Sequence, residues 1–293
     1  MVKYCLSAFA DEAADSLDEQ ISALRENRIA FIEPRNIGGK PILTLTDSEL
    51  IEVKKKLDEA GIKVNSLGSP IGKYPIEDDF EPHLALFKRA LEVCKLLGTD
   101  KMRMFSFYVK QDELLKWHDE VIKRLKAMAQ LAKEAGIMLC HENESLIYGQ
   151  MPCEVKKILT EIPEIYGIFD PANYRMNDAN VDAGIDATLT RLAYLHIKDA
   201  TYSTQTILPA GEGEGKIAEI IDKVNGCCDG NVYLTLEPHL MSFFAYKDID
   251  SHELKGKYSF ETNRDAFDFA ANKLKALLTE NGYMEVEYGI WKK

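Results

Sequence analysis

Short apolar runs alternate with longer amphipathic stretches along the chain, and this pattern predicts alternating strands and helices. The short runs are bounded by charge, glycine or proline, as buried parallel strands are. In the longer stretches, apolar residues such as Leu17, Ile21 and Leu24 share one face of a helix. The predicted strands cover residues 4–9, 29–33, 62–67, 101–108, 137–142, 165–170, 192–196 and 232–237. The predicted helices cover residues 16–27, 48–60, 80–97, 112–135, 152–159, 183–190, 217–224 and 263–278.

The strict alternation of strand and helix decides the predicted fold. Eight strands, each followed by a helix, favour a single-domain α/β fold, a (β/α)8 TIM barrel over residues 1–293, rather than an open sheet. No break in composition marks a linker. The long segment 240–262 follows the last strand, and we interpret it as a lid or a subunit contact. Residues 280–293 are predicted to form a C-terminal tail.

Composition and charge argue against some classes of binding partner. The chain has a formal net charge of −12 and is 46% hydrophobic. The negative charge argues against nucleic acid, because phosphate contacts require clustered lysine and arginine. No run approaches the roughly 18 apolar residues of a membrane span. The six cysteines have neither a disulfide pattern nor metal-binding spacing. We therefore expect a reduced, cytoplasmic protein that binds neither membranes nor nucleic acid.

Four consecutive predicted strands end in a side chain that can bind a metal ion. These side chains are Glu142, Asp170, His196 and Glu237. The carboxyl ends of barrel strands meet at one rim, where TIM barrels carry their functional residues. Taken singly, each acid is also typical of a helix cap or a turn, and the histidine of a partly buried core position. Four of them at the same end of neighbouring strands predict a shared site.

Three carboxylates and one imidazole form a mostly oxygen ligand set. Such a set suits one divalent ion, Mn²⁺ first and Mg²⁺ or Co²⁺ as alternatives, in roughly six-fold coordination with about two positions open. A sugar offers a carbonyl beside a hydroxyl, and the ion acidifies the carbon-bound proton between them. We expect Glu142 and Glu237 to be ligands and also the acid/base pair that moves this proton through a metal-stabilised enediolate.

Further polar side chains share strands with the predicted ligands. In an extended strand Glu144 lies on the same side as Glu142, and Lys198 on the same side as His196. Both are predicted to bind substrate, and a salt bridge to an inner acid is the alternative for Lys198. His141 has the opposite parity, so a core role stands beside a substrate-binding or base role.

Three other features remain without a firm role. Glu33 and Arg35 end the second strand and are placed at the mouth of the pocket. Arg103 is on the fourth strand. A place at the pocket, a place at the surface and packing against a helix are equally open for it. The glycine-rich loop 209–215 has neither GxGxxG nor Walker spacing, so we interpret it as a flexible loop beside the site.

Four short motifs surround the predicted ligands: His-Glu-Asn-Glu at 141–144, Phe-Asp-Pro-Ala-Asn at 169–173, His-Ile-Lys-Asp at 196–199 and Leu-Glu-Pro-His at 236–239. With these motifs nearly the whole chain resembles the xylose isomerase-like TIM barrels, the sugar phosphate isomerase/epimerase superfamily. The resemblance implies a TIM barrel in which Glu142 and Glu237 are the acid/base pair. It also implies four metal ligands: Glu142, Asp170, His196 and Glu237. The motifs are specific for the superfamily and not for one substrate.

Two positions depart from branches of this superfamily. Ketose 3-epimerases carry a substrate-contacting histidine three residues after the aspartate and an arginine six after the histidine. These positions are Asn173 and Tyr202 here, which makes Asn173 a predicted substrate-binding residue and disfavours a ketohexose 3-epimerase. The DNA-repair endonuclease branch needs additional histidines for a three-metal cluster. This chain has six histidines in all and a net charge of −12, so we set that branch aside.

The expected function is therefore that of a divalent-metal-dependent isomerase or epimerase acting on a sugar or keto-sugar. A lyase or dehydratase is the alternative: the same proton abstraction would be followed by loss of a β-leaving group from an inosose or 3-oxo-glycoside. His141 or Lys198 would then assist. A third hypothesis is a non-catalytic, metal-bound subunit of a complex, which would not need both Glu142 and Glu237. The expected partner is a small sugar or sugar derivative, and a homo-oligomer is compatible with such a barrel.

Overall fold

Eight parallel strands form the centre of the structure, a computed structural model that describes residues 2–242 and 257–293. The strands are β1 (Val2–Ala8), β2 (Phe31–Ile32), β3 (Lys63–Val64), β4 (Lys101–Met104), β5 (Met138–Glu142), β6 (Ile165–Phe169), β7 (Leu192–Ile197) and β8 (Gly230–Leu236), followed by a hairpin of β9 (Met284–Glu287) and β10 (Ile290–Lys292). The helices are α1 (Leu17–Glu26), α2 (Asp47–Glu59), α3 (Phe80–Leu97), α4 (Leu114–Ala135), α5 (Pro152–Glu161), α6 (Pro171–Met176), α7 (Val181–Thr188), α8 (Ile217–Cys227) and α9 (Asn263–Glu280). The predicted α/β barrel is confirmed.

The strands close into a barrel. Their hydrogen-bonded order is β3-β2-β1-β8-β7-β6-β5-β4, and each neighbouring pair is parallel. Beyond β3, Leu67 forms a parallel bridge with Met102 of β4. The Leu67 N–H donates to the Lys101 carbonyl at 2.9 Å, and the Arg103 N–H donates to the Leu67 carbonyl at 3.0 Å. Closure brings the carboxyl ends of all the parallel strands to one rim.

Three strands are shorter than the apolar pattern predicts. β2 and β3 contain two residues each, and β4 ends at Met104 although apolar residues continue to Tyr108. After β4 the backbone turns at Phe107, whose φ is 68°. The Phe107 N–H then donates to the carbonyl of Gly72 in the loop after β3, at 2.8 Å. These loops are buried against one another, so apolar composition alone does not separate them from strand.

Alternation along the strands separates the barrel interior from the layer between strands and helices. Cys140, Ile168 and Tyr194 form a small buried cluster of their own. Each lies two residues before a predicted ligand and therefore on the same strand face. Leu139 and Leu195 have the opposite parity and belong to the large core cluster shared with the helices. The predicted ligands consequently occupy the upper end of the barrel interior.

Local signals explain why the helix boundaries are predicted well. α3 covers the predicted residues 80–97: the Asp79 side chain accepts from the Glu81 N–H at its start, and Gly98 ends it with a φ of 69°. Gly136 ends α4 in the same way, immediately before β5. The apolar pattern does not predict the short helix α6, which begins at Pro171 directly after Asp170. Its first turn is capped by the Asp170 side chain.

The predicted C-terminal tail instead forms the hairpin of β9 and β10. β10 pairs antiparallel with β1 at Tyr4 and Cys5. β2 pairs with β1 only at Ser7 and Ala8, so the first half of that edge is available to the hairpin. Covering the edge satisfies backbone groups that would otherwise be exposed.

Two shorter hairpins lie in loops that follow barrel strands. They pair Asn36–Ile37 with Lys40–Pro41, and Asp199–Thr201 with Thr206–Leu208. The segment 240–262, interpreted as a lid or subunit contact, lies largely outside the described residues, which omit 243–256. No helix within the described ranges has the length and apolar character needed to span a membrane.

Candidate metal centre

The four predicted ligands lie together at the carboxyl ends of β5 to β8. One ligand atom each of Glu142, Asp170, His196 and Glu237 lies within 4.8 Å of the others. None of these residues is more than 2% exposed. The ladder between β7 and β8 pairs His196 with Thr235, which lies two residues before Glu237. The sequence-predicted set is thus one buried group.

The imidazole of His196 connects this group to the second barrel strand. Its Nδ1 lies 3.0 Å from Glu142 Oε1 and 3.6 Å from Glu237 Oε2. Its Nε2 lies 3.4 Å from Oε2 of Glu33. The other oxygen of Glu33 accepts a hydrogen bond from the Tyr194 hydroxyl at 2.8 Å. Glu33 therefore fixes the ring so that Nδ1 faces the carboxylates, as carboxylate partners do for metal-binding histidines.

Asp170 is oriented by the first turn of α6. Its Oδ1 accepts from the Asn173 N–H at 2.9 Å. Its backbone exchanges two hydrogen bonds with the Asn143 side chain, at 2.9 and 3.0 Å. Oδ2 is fully buried and accepts no hydrogen bond within the described part of the chain, although Lys198 Nζ lies 3.3 Å away. A buried carboxylate oxygen without a hydrogen bond is costly, and a divalent ion would satisfy it.

Two buried arginines contact the remaining oxygens of the glutamates. Arg103 Nη1 donates to Glu142 Oε2 at 3.2 Å, and Arg35 Nη1 donates to Glu237 Oε1 at 3.1 Å. Each glutamate therefore has one oxygen on an arginine and the other toward His196.

The charges at this rim favour a divalent cation. Three buried permanent cations, Arg35, Arg103 and Lys198, stand among a larger number of buried carboxylates. Those carboxylates belong to Asp11, Glu12, Glu33, Glu142, Asp170 and Glu237. Buried charge without compensation is strongly unfavourable. The excess of negative charge and the mostly oxygen donor set fit a hard divalent ion.

The pKa shifts follow from this crowding. Burial raises the pKa of Glu142, but the charges of His196 and Arg103 outweigh it and lower the pKa to about 2. Burial raises the pKa of Asp170 to about 7 despite the opposing charge of Lys198. Burial lowers the pKa of His196, but Glu142 and its neighbouring carboxylates raise it to about 10. Protons on His196 and Asp170 thus offset part of the negative charge when no ion is bound.

Two predicted substrate-binding residues contact the four-residue group. Lys198 is 3% exposed and its Nζ lies 3.3 Å from both Asp170 Oδ2 and Glu237 Oε2, which is the salt bridge foreseen as its alternative role. Asn173 donates from Nδ2 to Glu142 Oε1 at 3.3 Å. Both side chains therefore contact Glu142 or Glu237, the two glutamates that we propose below as the acid/base pair.

The other two predicted substrate-binding residues lie outside that group. Glu144 is partly buried and its Oε2 lies 2.9 Å from Lys73 Nζ in the loop after β3. His141 is fully buried, with Nε2 2.9 Å from Ser106 Oγ. Burial lowers the pKa of His141 to about 4. Its ring packs against Gly149, on the outward face of β5 that strand parity assigns to it.

His239 is held close to Glu237 from the other side. Its Nε2 lies 3.4 Å from Glu12 Oε1 and from Glu237 Oε1, and its N–H donates to Glu12 Oε2 at 2.7 Å. Its φ is 45°, a conformation that costs a non-glycine residue free energy. Glu12, four residues after the end of β1, compensates by contacting both the backbone N–H and the ring of His239. Glu12, Glu237 and His239 also have ligand atoms within 4.8 Å of one another.

The glycine-rich loop is fixed by Asp199, contrary to its interpretation as a flexible loop. The Asp199 carboxylate accepts from the N–H groups of Gly211, Gly213 and Gly215 at 2.8 to 3.0 Å, and from Ala200 at 2.9 Å. A Cβ on Gly213 would lie 2.3 Å from Asp199 Oδ1. The glycines therefore allow a close approach to the residue that follows Lys198.

The sequence interpretation placed Arg35 at the mouth of the pocket but assigned neither Arg35 nor Arg103 a contact with the predicted ligands. Arg103 lies on β4 and Arg35 follows β2, and both are buried in the site. Arg103 pairs with Cys140, which faces the barrel interior, so the Arg103 side chain faces the interior as well. No local signal in the sequence joins Arg35 to Glu237, which lies 202 positions away.

This fold and group of residues define a TIM barrel with a candidate metal centre. The chain belongs to the xylose isomerase-like TIM barrel family, whose model matches residues 22–239. The resemblance seen in the four motifs is thereby confirmed. No curated protein sequence matches the chain significantly.

Solved structures share the fold at low sequence identity. The probable 3-DHS dehydratase AsbF of Bacillus anthracis is 14% identical with a TM-score of 0.70, covering 92% of this chain and 98% of that one. The 3-keto-D-glucoside 4-epimerase YcjR of E. coli is 16% identical with a TM-score of 0.66, covering 95% and 100%. The IolI protein, solved with a bound zinc atom, is 13% identical with a TM-score of 0.71, covering 96% and 100%.

Proposed function

We propose that this protein is a divalent-metal-dependent isomerase or epimerase of a sugar or keto-sugar. The observation that carries the proposal is the buried group of Glu142, Asp170, His196 and Glu237, with ligand atoms within 4.8 Å of one another. A bound divalent ion supplies Lewis-acid activation of a carbonyl and its neighbouring hydroxyl. We propose Mn²⁺ first and Mg²⁺ or Co²⁺ next, because the ligands are mostly oxygen.

The side chains divide the work of proton transfer. Glu142 on β5 and Glu237 after β8 flank the group, since β6 and β7 lie between their strands. One glutamate removes the proton from the carbon beside the carbonyl, and the other returns a proton on the opposite face or at the next carbon. Asp170 and His196 complete the ligand set. Lys198, 3.3 Å from Glu237 Oε2, places a positive charge where a substrate oxygen becomes negative.

A lyase or dehydratase is the second candidate. The same base and ion would remove the proton, and a leaving group on the next carbon would depart. One structural neighbour is described as a dehydratase, and Tyr202 replaces the arginine of the ketose 3-epimerases. A non-catalytic subunit is the third candidate, and the presence of both buried glutamates argues against it.

Solvent isotope exchange separates these candidates. The protein is loaded with Mn²⁺ and incubated in deuterium oxide with a panel of keto-sugars, inososes and 3-oxo-glycosides. Deuterium at one carbon, without other change in mass, supports an isomerase or epimerase. Loss of water or an aglycone supports the lyase. No reaction of any member, with the ion bound, contradicts both enzyme proposals.

Matched variants connect any activity to the site. Glu142→Gln and Glu237→Gln remove the proposed acid/base pair and should abolish turnover. Glu144→Gln, whose side chain pairs with Lys73, should retain much more activity. Full activity in Glu142→Gln would overturn the assignment.

A further inference from the structure

Each proposed acid/base glutamate has its two oxygens in different environments. In Glu142, Oε1 lies 3.0 Å from His196 Nδ1 and Oε2 lies 3.2 Å from Arg103 Nη1. In Glu237, Oε2 lies 3.6 Å from His196 Nδ1 and Oε1 lies 3.1 Å from Arg35 Nη1. In both glutamates, one oxygen faces the His196 imidazole and the other contacts an arginine. The two arginines come from different parts of the barrel.

Arg35 is fixed by other acids. Its Nε and Nη2 contact the two oxygens of Asp11 at 2.9 and 3.1 Å, and Nη2 also contacts Glu12 Oε1 at 3.2 Å. Two parallel hydrogen bonds between one guanidinium and one carboxylate fix the orientation of the guanidinium. The guanidinium therefore has little freedom to follow Glu237 if that side chain turns.

Arg103 is fixed by the backbone and by aromatic rings. Its Nε donates to the Ser69 carbonyl at 3.3 Å. Its guanidinium carbon lies 4.8 Å from the ring centre of Phe9 and 5.1 Å from that of Phe105. The Phe9 ring also lies 4.3 Å from the guanidinium carbon of Arg35. The Phe9 ring thus contacts both guanidinium groups and supports both arginines.

We propose that Arg35 and Arg103 are positioning residues that leave Glu237 and Glu142 only one oxygen each for a divalent ion. A carboxylate can bind such an ion through one oxygen or two. If both glutamates used two, the four side chains would fill roughly six-fold coordination. With one oxygen each, about two positions stay open for the neighbouring oxygens of a substrate. This inference rests on the proposed ion-dependent function.

The test counts water molecules on bound Mn²⁺ in the wild type and in Arg103→Met. Arg103 is the better choice, because removing Arg35 would leave three carboxylates without their shared partner. Paramagnetic relaxation of water protons measures the count. We expect about two waters in the wild type and about one in the variant, because the released oxygen of Glu142 joins the ion. Apparent Mn²⁺ affinity should rise roughly threefold to tenfold, since a nearby positive charge is removed.

Two variants serve as controls. Arg124→Met removes a buried arginine that binds Glu120 and packs on Phe80 and Phe107, and it should leave the water count unchanged. Arg103→Lys keeps a cation near Glu142 and should restore most of the wild-type count. An Arg124→Met variant that loses the same water would overturn the inference, because the effect would then be one of general packing.

The outcomes separate this inference from the proposed function. A wild type that binds no Mn²⁺ contradicts the proposed function. A wild type with about two waters, and an unchanged count in Arg103→Met, contradicts only the positioning role. Should Arg103→Met not fold, infrared carboxylate bands of the wild type provide the test. One-oxygen ligation on Mn²⁺ binding agrees with the inference, and two-oxygen ligation by the glutamates overturns it.

Discussion

Glu33 and His196 come from opposite parts of the barrel and lie 3.4 Å apart, through Glu33 Oε2 and His196 Nε2. This contact points the other ring nitrogen of His196 at the carboxylates. Glu33→Gln keeps the size of the side chain but removes its negative charge. We expect roughly 10- to 100-fold weaker Mn²⁺ binding, the usual effect of losing a carboxylate partner of a histidine ligand. Calorimetric titration measures the affinity.

Tyr194→Phe is the graded comparison. It removes the hydroxyl that donates to Glu33 Oε1 at 2.8 Å but leaves the Glu33 carboxylate in place. Its loss of affinity should be smaller than that of Glu33→Gln. Unchanged Mn²⁺ binding in Glu33→Gln would show that the ring needs no such partner.

Binding of the divalent ion should release protons. At neutral pH His196 is protonated, because its pKa is raised to about 10, and Asp170 is partly protonated, because its pKa is raised to about 7. Both must lose their protons to bind a cation, so between about one and two protons should leave per ion at neutral pH. Affinity should accordingly rise with pH. Titration calorimetry in buffers of different ionisation enthalpy gives the number of protons, and a value near zero contradicts this picture.

The glycine loop around Asp199 gives a stability prediction. In Gly213→Ala the new Cβ would meet Asp199 Oδ1 at 2.3 Å and the Ala200 backbone at 2.7 Å. At least one hydrogen bond to the buried carboxylate would be lost, so we expect a loss of roughly 1–3 kcal/mol in the free energy of unfolding. Urea denaturation measures it.

A second glycine provides the matched control for this change. Gly226 is near the end of α8 and a Cβ there would meet nothing within 4 Å. Gly226→Ala should therefore leave stability unchanged or raise it by up to about 1 kcal/mol. Equal effects of the two substitutions would mean that the Asp199 contacts carry no special cost.

The grouping of the four proposed ligands was predictable because it depends on local order along the chain. Each of the four residues lies at the carboxyl end of an apolar strand, and parallel strands of a barrel end at one rim. Parity also placed Lys198 beside His196. Helix ends were predictable for a similar reason, since caps such as Asp79 and glycines such as Gly98 act within a few residues.

Other features depend on contacts between distant residues. The pairing of Arg35 with Glu237 and the enclosure of Asp199 by its loop have no local signature. The C-terminal hairpin forms because β2 is too short to cover β1, and no pattern within residues 280–293 contains that information. Strand parity, in contrast, did predict that His141 and Glu142 point to opposite faces of β5.

His83 should make stability sensitive to acid. It is 4% exposed, its Nε2 accepts from the Gly72 N–H at 3.0 Å, and its ring stacks on Tyr74. Burial, with the charge of Arg124, lowers its pKa from 6.5 to about 4. Because the folded pKa is depressed, the unfolded chain takes up the proton first. The stabilisation is complete above pH 6.5 and is lost as the pH falls toward 4.

His83→Gln tests this contribution, since glutamine can accept from Gly72 but does not titrate. Between about pH 7 and pH 5 the wild type should lose roughly 1–2 kcal/mol more of its unfolding free energy than the variant loses. Denaturant titrations at the two pH values measure the difference. Parallel losses in both proteins would exclude His83 as the source.

The central claim is that four side chains at the barrel rim hold one divalent ion. Anomalous diffraction from crystals grown with Mn²⁺ tests it most directly. The account predicts one strong peak within bonding distance of Glu142, Asp170, His196 and Glu237, and its loss in Asp170→Asn. A peak only elsewhere, or none at saturating Mn²⁺, would contradict it.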